Sequence, residues 1–509
     1  MPRYAAIDIG SNSVRLAVAE AEPGRPTRTL ASERVVTRLG TSVFSDGSIS
    51  KEAMDSLSGV LQRFRATIER HHAMGARAVA TSAVRDARNQ EEFLRRASAA
   101  AGMPVEIISG IEESRLIHAG VATVWPGPAE RRLIIDIGGG SAEAIVSEHG
   151  RMTAAFSKPL GAVRLKQMFL ENDPPSADDL DRMSAYIDEK LAPMLKRIGK
   201  GGFDRVIGTS STAAAVVSAV NAVARRARDI ADGQHATTAQ VERLVTELSR
   251  QKLSERRKRT GIGPRRAEII VGGAAVLARM LRAFGARSVY YSVAGVRDGI
   301  IADLAARRVG AQLARLDKEQ RRIVESMARR FGVDVRHARK TAQLAGALFD
   351  SLKPLHTLPA ESGKLLEAAA YLVDIGHYVS DMGHHKHSQY IVANADFPAF
   401  TAEERGIVAQ LCRFHRKSMP SARHLTFQNL PVANQRLILR LVPLLRLADA
   451  LDRSHDQRVD GLAVELHNDH VVIALRSDAD TNLELWAGER AGEVFSQVYG
   501  LPLVLQTRK

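Results

Sequence analysis

Short runs of alternating hydrophobic and polar residues, separated by segments of helical period, fill the first 300 residues of the chain. Alternation with period two is typical of half-buried strands, and a period near 3.6 is typical of amphipathic helices. The pattern predicts strands at residues 4–9, 14–20, 78–81, 105–108, 132–137, 142–148, 204–207 and 288–293. Helices are predicted at 51–74, 89–101 and from Glu112 to Ala122. Strands that alternate with helices in this way indicate an α/β architecture.

Helical patterns dominate from about residue 318 to 460, with polar loops predicted at 353–362 and 380–388. Strands return at 462–466, 471–475 and 503–506, on either side of a helix at 482–497. A chain of 509 residues is long enough for several domains of common size. We therefore expect two α/β domains, an all-α domain and a small α+β domain, with the boundaries 1–124, 125–305, 306–460 and 461–509.

One phrase occurs twice in the α/β part of the chain. The letters IDIGSNS stand at residues 7–13 and IDIGGGS at 135–141, and seven of 14 positions are identical when the phrases are extended in register. The spacing is too long for a solenoid repeat, so it indicates a duplicated domain. A dinucleotide-binding glycine motif needs a helix after the turn, whereas here a strand follows each turn. Each phrase is therefore predicted to be a β-hairpin.

A hairpin turn of glycine and serine exposes backbone N–H groups, and such a nest binds phosphate oxygens. Asp8 and Asp136 end the strand before each turn, where a carboxylate would hold Mg²⁺, usually through water. Two such turns that face each other would clamp one phosphate chain between the duplicated domains. The alternative is that the glycines serve only to make tight hairpins, but this alternative does not explain an aspartate in both copies.

Charge adds a class of partner to this picture. The net charge is +15 and the isoelectric point is about 10.1, so polyanions are expected to bind, although solubility alone is the simpler explanation of a basic chain. The densest run of cations lies in a Gly- and Pro-containing segment predicted to be a loop. Its residues are Arg256, Arg257, Lys258, Arg259, Arg265 and Arg266.

Cysteine use and hydropathy indicate the compartment. Cys412 is the only cysteine, so no intrachain disulfide forms and a reducing cytoplasm is expected. No run of about 18 apolar residues appears, so we expect no membrane-spanning segment.

Seven stretches, in order, resemble the exopolyphosphatase / guanosine pentaphosphate phosphohydrolase family. They are AAIDIGSNSVRL, ATSAVRDARN, ISGIEESRLIHAGV, LIIDIGGGSAEAIV, KPLGAVRL, VIGTSSTAAAV and SVAGVRDGII, and they cover residues 5 to about 301. The resemblance implies the duplicated actin-like (ribonuclease H-like, sugar-kinase-like) fold. It also implies hydrolysis of a terminal phosphoanhydride with release of orthophosphate.

The resemblance also implies roles for particular residues. Glu113 resembles the family's catalytic glutamate, and its neighbour Glu112 is the alternative, since only one of two adjacent helical side chains can face a cleft. Arg85 matches a motif arginine that would stabilise charge on the terminal phosphate. The expected metal ligands are Asp136, Glu143 and the equivalent carboxylate Asp8. The expected phosphate-binding residues are Ser11, Asn12, Ser13, Gly138, Gly139, Gly140, Ser141, Thr209 and Ser210, with Arg164 as a further cation; Thr209, Ser210 and Arg164 could equally be structural.

The helical segment resembles the HD-type metal phosphohydrolase layout, which longer family members carry as a domain generally treated as accessory. Val373 stands where that layout has a histidine, and valine cannot bind metal. His337, Asp374, His384 and Asp449 could still hold one ion, but a degenerate helical domain is the expectation. Its cations suit a long polyanion, and they are Lys386, Arg413, Arg416 and Lys417.

The expected function is a Mg²⁺-dependent exopolyphosphatase that removes terminal phosphates from inorganic polyphosphate. The closest alternative is a guanosine pentaphosphate 5′-phosphohydrolase, because proteins with either activity share every core motif. One chain can combine both activities. A kinase-like phosphotransferase and a non-catalytic polyphosphate sensor are further alternatives, which the water-activating position of Glu113 disfavours. Guanosine penta- or tetraphosphate is a second expected ligand, nucleic acid is not expected, and a homodimer is expected.

Overall fold

The computed structural model describes residues 1–125, 131–224, 227, 233–307 and 315–508. The chain divides into two compact units, residues 1–310 and residues 311–509. The predicted boundary between the first two domains lies inside the first unit. None of the helices in these described ranges is long and apolar enough to cross a membrane.

The first unit contains two sheets. The strands are β1 Arg3–Ile9, β2 Ser13–Glu20, β3 Arg28–Val36, β4 Gly75–Ala80, β5 Val105–Ile107, β6 Arg132–Ile137, β7 Ala142–Glu148, β8 Arg151–Lys158, β9 Arg205–Thr209, β10 His235–Thr237 and β11 Ser288–Tyr291. Their order is β3-β2-β1-β4-β5 in one sheet and β10-β11-β9-β6-β7-β8 in the other.

The two sheets repeat one topology. In each, an antiparallel three-strand meander (β1-β2-β3 or β6-β7-β8) is followed by a strand parallel to its first member, β4 beside β1 and β9 beside β6. Asp8 pairs with Arg15 across the first hairpin, and Asp136 pairs with Glu143 at the equivalent position of the second. The predicted hairpins and the duplication are therefore both present.

Helices of the first unit pack on these sheets. They are α1 Leu39–Asp46, α2 Lys51–Arg70, α3 Ser82–Asp86, α4 Gln90–Ala101, α5 Gly110–Val124, α6 Ala162–Phe169, α7 Ala177–Ile198, α8 Ser210–Val220, α9 Thr238–Arg250, α10 Leu253–Arg256, α11 Ile270–Ala283 and α12 Val296–Ala306. Each sheet has its own apolar core. Helices α2 and α4 contribute to the core of the first sheet, and helices α7, α8, α9 and α11 contribute to the core of the second.

Helices α5 and α12 lie together between the two sheets. Ile117 and Val121 of α5 pack on the second sheet, whereas Ile300 and Leu304 of α12 pack on the first. Each helix thus packs on the sheet of the other half of the repeat. Their backbones touch: a Cβ at Gly299 would lie 1.8 Å from the carbonyl oxygen of Leu116.

A buried ion network ties this helix pair to the first sheet. The Glu112 carboxylate accepts two hydrogen bonds from Arg115, at 2.8 and 3.0 Å, and one from Arg77 at 3.0 Å. Arg115 also pairs with Asp303 of α12 at 2.9 Å. Burial alone would raise the pKa of Glu112, but the two guanidinium groups lower it. Losing one partner of such a network leaves a buried charge uncompensated.

The second unit is mainly helical. Its elements are α13 Lys318–Arg330, α14 Val335–Ser351, α15 Lys353–His356, α16 Ser362–Leu372, a 3₁₀ turn Ile375–Tyr378, α17 His384–Asn394, α18 Ala402–Phe414, α19 Leu425–Gln428, α20 Val432–Ala450, β12 Gly461–Leu466, β13 Val471–Arg476, α21 Asn482–Tyr499 and β14 Leu503–Arg508. The terminal strands form a sheet of order β12-β13-β14. Ile473 and Phe495 belong to the same apolar core as the helices, so this sheet shares the core of the unit.

Two features of this pattern differ from the sequence prediction. The edge strands β3 and β8 were not predicted, because their half-exposed residues give no clear apolar alternation. The predicted loop at 380–388 is shorter, because α17 begins at His384.

We expect Gly299→Ala to destabilise the protein by about 1–3 kcal/mol or more, since an added methyl group would overlap the α5 backbone. Gly59→Ala is the matched control, because Gly59 lies inside α2 with nothing within 4 Å of an added Cβ. That control should gain up to about 1 kcal/mol from helix propensity. Thermal or urea unfolding measures both changes, and equal effects would contradict a close helix crossing.

Candidate functional site

The two glycine turns meet face to face. A Cβ at Gly139 would lie 3.0 Å from the Cβ of Ser11 and 3.2 Å from the backbone nitrogen of Asn12. A Cβ at Gly140 would lie 2.7 Å from the Ser11 hydroxyl. Only glycine leaves room for this approach. The first turn and the second turn therefore line one cleft, as the repeat predicted.

The cleft encloses a cavity of about 290 Å³. Small-molecule pockets usually measure about 300–1,000 Å³, so this cavity suits the end of a ligand better than a whole nucleotide. Its lining includes both turns and the side chains of Asp8, Glu113, Asp136, Arg15, Arg34, Arg266 and Arg297. Carboxylates and guanidinium groups thus line the same small volume.

Glu113 and Asp136 are buried acids at the cleft. Glu113 Oε2 and Asp136 Oδ1 are buried and accept no hydrogen bond from the described residues. Burial and the neighbouring charge of Glu143 raise the pKa of Glu113 well above its usual value. The same two causes raise the pKa of Asp136 to about 7. An acid in such surroundings is poised to take up a proton or a cation.

The adjacent glutamates of α5 have different surroundings. Ser109 caps the helix by accepting a hydrogen bond from the Glu112 backbone at 3.2 Å. The Glu112 side chain turns into the Arg77–Arg115 network, and Glu113 turns into the cleft. This divergence matches the prediction that only one of the pair faces the cleft.

Glu143 is fixed by its neighbour on β8. Ser157 donates a hydrogen bond of 2.7 Å to Glu143 Oε1. A Cβ at Gly110 would lie 2.4 Å from the Cβ of Ser157, so the first residue of α5 abuts this pair. Burial raises the pKa of Glu143, and the Ser157 hydrogen bond lowers it. The start of α5 and the second hairpin are thus held in contact beside the cleft.

The cleft carboxylates fit a magnesium ion by their donor chemistry. All-oxygen donors suit Mg²⁺, which usually keeps several waters and takes only one or two carboxylates. No three of Asp8, Glu113, Asp136 and Glu143, all of them described residues, bring ligand atoms within 4.8 Å of one another. The unoccupied Oδ1 of Asp136 offers one such ligand.

Sequence reasoning missed three guanidinium groups of the cleft, those of Arg15, Arg34 and Arg297. Arg15 donates a hydrogen bond of 2.6 Å to the hydroxyl of Ser211, across the two halves of the repeat. Arg297 donates to the carbonyl of Leu16 and to the hydroxyl of Ser32, each at 3.2 Å. Arg15 and Arg297 lie within the motifs quoted above. The signal that could have pointed to Arg15 is its position opposite Asp8 in the hairpin.

The side chains of Arg85 and Arg164 contact residues that line the cleft. Arg85 donates to the Ile108 carbonyl at 2.6 Å and lies 3.5 Å from Glu113 Oε2. Arg164 donates to the Gly140 carbonyl at 2.8 Å and pairs with Asp86. Arg164 therefore supports the second glycine turn, the structural alternative left open for it.

The hydroxyl groups predicted to donate to phosphate are partly committed elsewhere. Thr209 donates its hydroxyl to the Ala294 carbonyl, and Ser210 donates to the Ile137 carbonyl at 2.8 Å. A hydroxyl has one proton to donate, so these two side chains cannot also donate to phosphate. Thr209 and Ser210 line the cavity. Their contact with phosphate stays a prediction, and a purely structural role stays the alternative.

The basic segment near residue 260 is not one exposed patch. Arg256 is buried and paired with Asp173, and Arg257 pairs with Glu268 at 3.1 Å. Arg266 is buried and lines the cavity. Lys258 and Arg265 are exposed. The expected loop is wrong for Arg256, which ends α10. Arg266 lies at the cleft, and the binding of a polyanion by these cations stays a prediction.

In the second unit, Lys386, Arg416 and Lys417 are exposed, and Arg413 is half-buried. The helical segment also brings together two groups that could hold a metal ion, His337, Asp374 and Asp449 in one and Asp374, His377 and His384 in the other. The four residues predicted as a degenerate metal set are therefore close in space.

The fold and the cleft define an actin-like α/β protein in which two glycine turns and several carboxylates surround a phosphate-sized cavity. The profile of the Ppx/GppA phosphatase family matches residues 17–308, and the profile of Ppx/GppA phosphatase domain III matches residues 320–486. The chain belongs to the Ppx/GppA phosphatase family. Its enzyme class is that of hydrolases acting on phosphoanhydride bonds.

Known proteins resemble the chain in sequence and in structure. A protein of Vibrio vulnificus named guanosine-5′-triphosphate,3′-diphosphate pyrophosphatase is 27% identical, over 100% of this chain and 99% of that protein. An exopolyphosphatase structure from Cytophaga hutchinsonii is 26% identical with a TM-score of 0.55, over 60% of this chain and 98% of that one. An Aquifex aeolicus Ppx/GppA structure is 27% identical with a TM-score of 0.53, over 60% and 98%.

We expect Asp136→Asn and Glu143→Gln each to raise the Mg²⁺ concentration needed for half-maximal phosphate release. Asp136→Asn should also raise the melting temperature in a chelating buffer, because it removes a buried acid with a raised pKa. Metal titration of activity and thermal unfolding measure the two effects. Activity that survives full chelation would sink the assignment, and Asp374→Asn should leave the Mg²⁺ requirement unchanged.

Proposed function

We propose that the chain hydrolyses the 5′-terminal phosphoanhydride of guanosine 5′-triphosphate 3′-diphosphate and releases orthophosphate. The observation that carries the hydrolytic step is the buried carboxylate oxygen of Glu113, which accepts no hydrogen bond from the described residues and lies at the cleft between the two opposed glycine turns. The substrate is supported by relatives with that activity in their names, one of which matches over 100% of this chain. The sequence expectation placed polyphosphate first, and these relatives favour the nucleotide.

In this proposal Glu113 accepts a proton from the attacking water. The water oxygen bonds to the terminal phosphorus, the bond to the bridging oxygen breaks, and the diphosphate end leaves with that oxygen. Burial and the charge of Glu143 raise the pKa of Glu113, which makes its carboxylate a stronger base than that of an exposed glutamate. Mg²⁺ held by Asp136 and Glu143, with Asp8 nearby, would supply positive charge against the phosphate oxygens.

The chain's own donors would position the phosphates. Residues of the two glycine turns line the cavity, and nests of backbone N–H groups in such turns bind phosphate oxygens. Arg15 and Arg297, already oriented by their own hydrogen bonds, add fixed guanidinium groups. Positioned cations stabilise charge on a transferring phosphoryl group without reorganisation.

Inorganic polyphosphate is the second candidate. The cavity of about 290 Å³ accepts a phosphate end and leaves the rest of either substrate outside. The resemblance to an exopolyphosphatase of known structure supports this candidate, as do the exposed cations of the second unit.

A kinase-like activity is less well supported. A kinase that uses a nucleoside triphosphate needs an open pocket for the nucleoside, and Gly272 and Gly273 near the start of α11 are one place where the chain lacks side chains. A Cβ at Gly273 would lie 2.7 Å from Thr212 and 3.1 Å from Ala162, so protein atoms fill the space beside it. The glycine pair serves the packing of α11 against α6 and α8.

We expect Glu113→Gln to reduce turnover on guanosine pentaphosphate by about 10²–10⁴-fold while substrate binding remains, because the amide cannot accept the water proton. Glu112→Gln should retain turnover in the folded protein and lose about 3–5 kcal/mol of stability, because it breaks the buried ion network. Orthophosphate release and thermal unfolding, measured on both variants, separate the two roles. Equal losses of turnover would show that the assignment to Glu113 is wrong.

A substrate comparison tests the choice of nucleotide. Wild-type protein should release orthophosphate from guanosine pentaphosphate with a higher kcat/KM than from long-chain polyphosphate, and Glu113→Gln should abolish both activities together. A higher kcat/KM on polyphosphate would restore the order that the sequence suggested.

Exposed cations of the second unit give a prediction specific to the polymer. We expect the double variant Lys386→Gln, Lys417→Gln to raise the KM for long-chain polyphosphate and to flatten its dependence on salt. Each neutralised phosphate releases about one counterion by analogy with single-stranded nucleic acid, so fewer contacts give a smaller slope. The KM for guanosine pentaphosphate should not change. Steady-state kinetics at two salt concentrations test this, and a matched change for both substrates would contradict a polymer-binding role.

A further inference from the structure

The carboxylate of Asp374, which follows α16, has histidines on both sides. On one side His337 Nε2 lies 3.6 Å from Asp374 Oδ2 and 3.6 Å from Asp449 Oδ1. His337 is 2% exposed, and its Nε2 has no hydrogen-bond partner among the residues that the structure describes. A buried ring nitrogen between two carboxylates needs positive charge beside it, which either a proton on Nε2 or a bound cation supplies.

A second group lies on the other oxygen of Asp374. His377 Nε2 is 3.6 Å and His384 Nε2 is 3.9 Å from Asp374 Oδ1. His384 Nε2 also lies 3.2 Å from His415 Nε2. Nitrogen and oxygen atoms of four different elements of this unit therefore point at one carboxylate.

The separations are too long for hydrogen bonds and near those of ligands that share one ion. Two atoms each about 2.1 Å from a metal lie roughly 3–3.5 Å apart at tetrahedral or octahedral angles. The observed separations of 3.6 Å in both groups need only a small inward movement of the side chains.

Outer hydrogen bonds already orient two of the histidines. His337 Nδ1 lies 2.8 Å from the buried Asp452 carboxylate, which fixes the proton on Nδ1 and directs the Nε2 lone pair inward. His415 Nδ1 donates to the Cys412 carbonyl at 2.8 Å, so its Nε2 faces His384 Nε2 at 3.2 Å, a separation typical of two nitrogens that share one ion. Metal-binding histidines usually donate their second ring nitrogen to a carboxylate or a carbonyl in this way.

We propose that the second unit holds a divalent transition-metal centre organised by Asp374. His337 and Asp449 are ligands on one side of Asp374, and His377 and His384 are ligands on the other. This centre is separate from the proposed Mg²⁺ site, and its imidazole nitrogens favour zinc, iron, copper or nickel over magnesium. Val373 does not interrupt the site, because His377 supplies a nitrogen one turn further along the chain.

Zn²⁺ is the probe for this centre. Full-length protein is stripped with a chelator and titrated with Zn²⁺ in the presence of millimolar Mg²⁺, with calorimetry and metal analysis after gel filtration as readouts. We expect wild-type protein and Asp136→Asn to bind Zn²⁺, and the isosteric variant Asp374→Asn to lose binding. Asp452→Asn, which alters the outer hydrogen bond of His337, should weaken the affinity by about 10–100-fold. Zn²⁺ should raise the melting temperature of wild-type protein and leave that of Asp374→Asn unchanged.

His384→Gln and His387→Gln form the matched pair, since both histidines lie on α17 and only His384 belongs to the cluster. His384→Gln should weaken Zn²⁺ binding by about 100-fold or more, and His387→Gln should bind as wild type does. Binding that is lost in Asp136→Asn and kept in Asp374→Asn would place the ion in the cleft and overturn the proposal. Equal affinities of His384→Gln and His387→Gln for Zn²⁺ would also overturn the proposal. This pair of variants provides the test if Asp374→Asn does not fold.

Discussion

The contact of α5 with α12 at glycine is the constraint on which the first unit depends. A backbone-to-backbone crossing is possible only where no side chain intervenes, and Gly120 and Gly299 supply that gap. Because α5 packs on the second sheet and α12 on the first, the crossing fixes how the duplicated halves face each other. The width of the cleft is therefore set by helix packing remote from the phosphate-binding turns.

The same crossing decides which glutamate reaches the cleft. Arg115 and Asp303 pair across the two helices and hold Glu112 in the buried network, and this fixes the rotation of α5 about its axis. Adjacent side chains on a helix diverge by about 100°, so Glu113 is directed away from that network. One residue contributes stability through ion pairs, and the next keeps an oxygen that the described protein atoms leave without a hydrogen bond. Such local destabilisation is expected where a site is shaped for function rather than for stability.

Much of this arrangement was accessible from the sequence because it depends on local patterns. The repeated phrase located both hairpins, and their equivalence located Asp8, Asp136 and the glycine turns. The edge strands β3 and β8 escaped prediction because half-exposed strands lack apolar alternation. The roles of Arg256 and Arg266 escaped it as well, because the partners that bury them, such as Asp173, are distant in sequence. The gathering of His377 and His415 around Asp374 likewise depends on how separate helices pack.

The duplication also explains how one cleft can hold both a cation and an anion. Arg15 and Glu143 occupy the same position of the repeat, each paired across its hairpin with the aspartate of its own copy. In the first copy the arginine offsets the aspartate, and burial alone raises the pKa of Asp8. In the second copy two acids oppose each other, and burial together with the charge of Glu143 raises the pKa of Asp136 to about 7. Under the proposed function, this single divergence within the repeat makes one turn a cationic wall for phosphate and the other a place where a divalent ion would relieve repulsion, so the two halves of a symmetric fold would have complementary electrostatic roles.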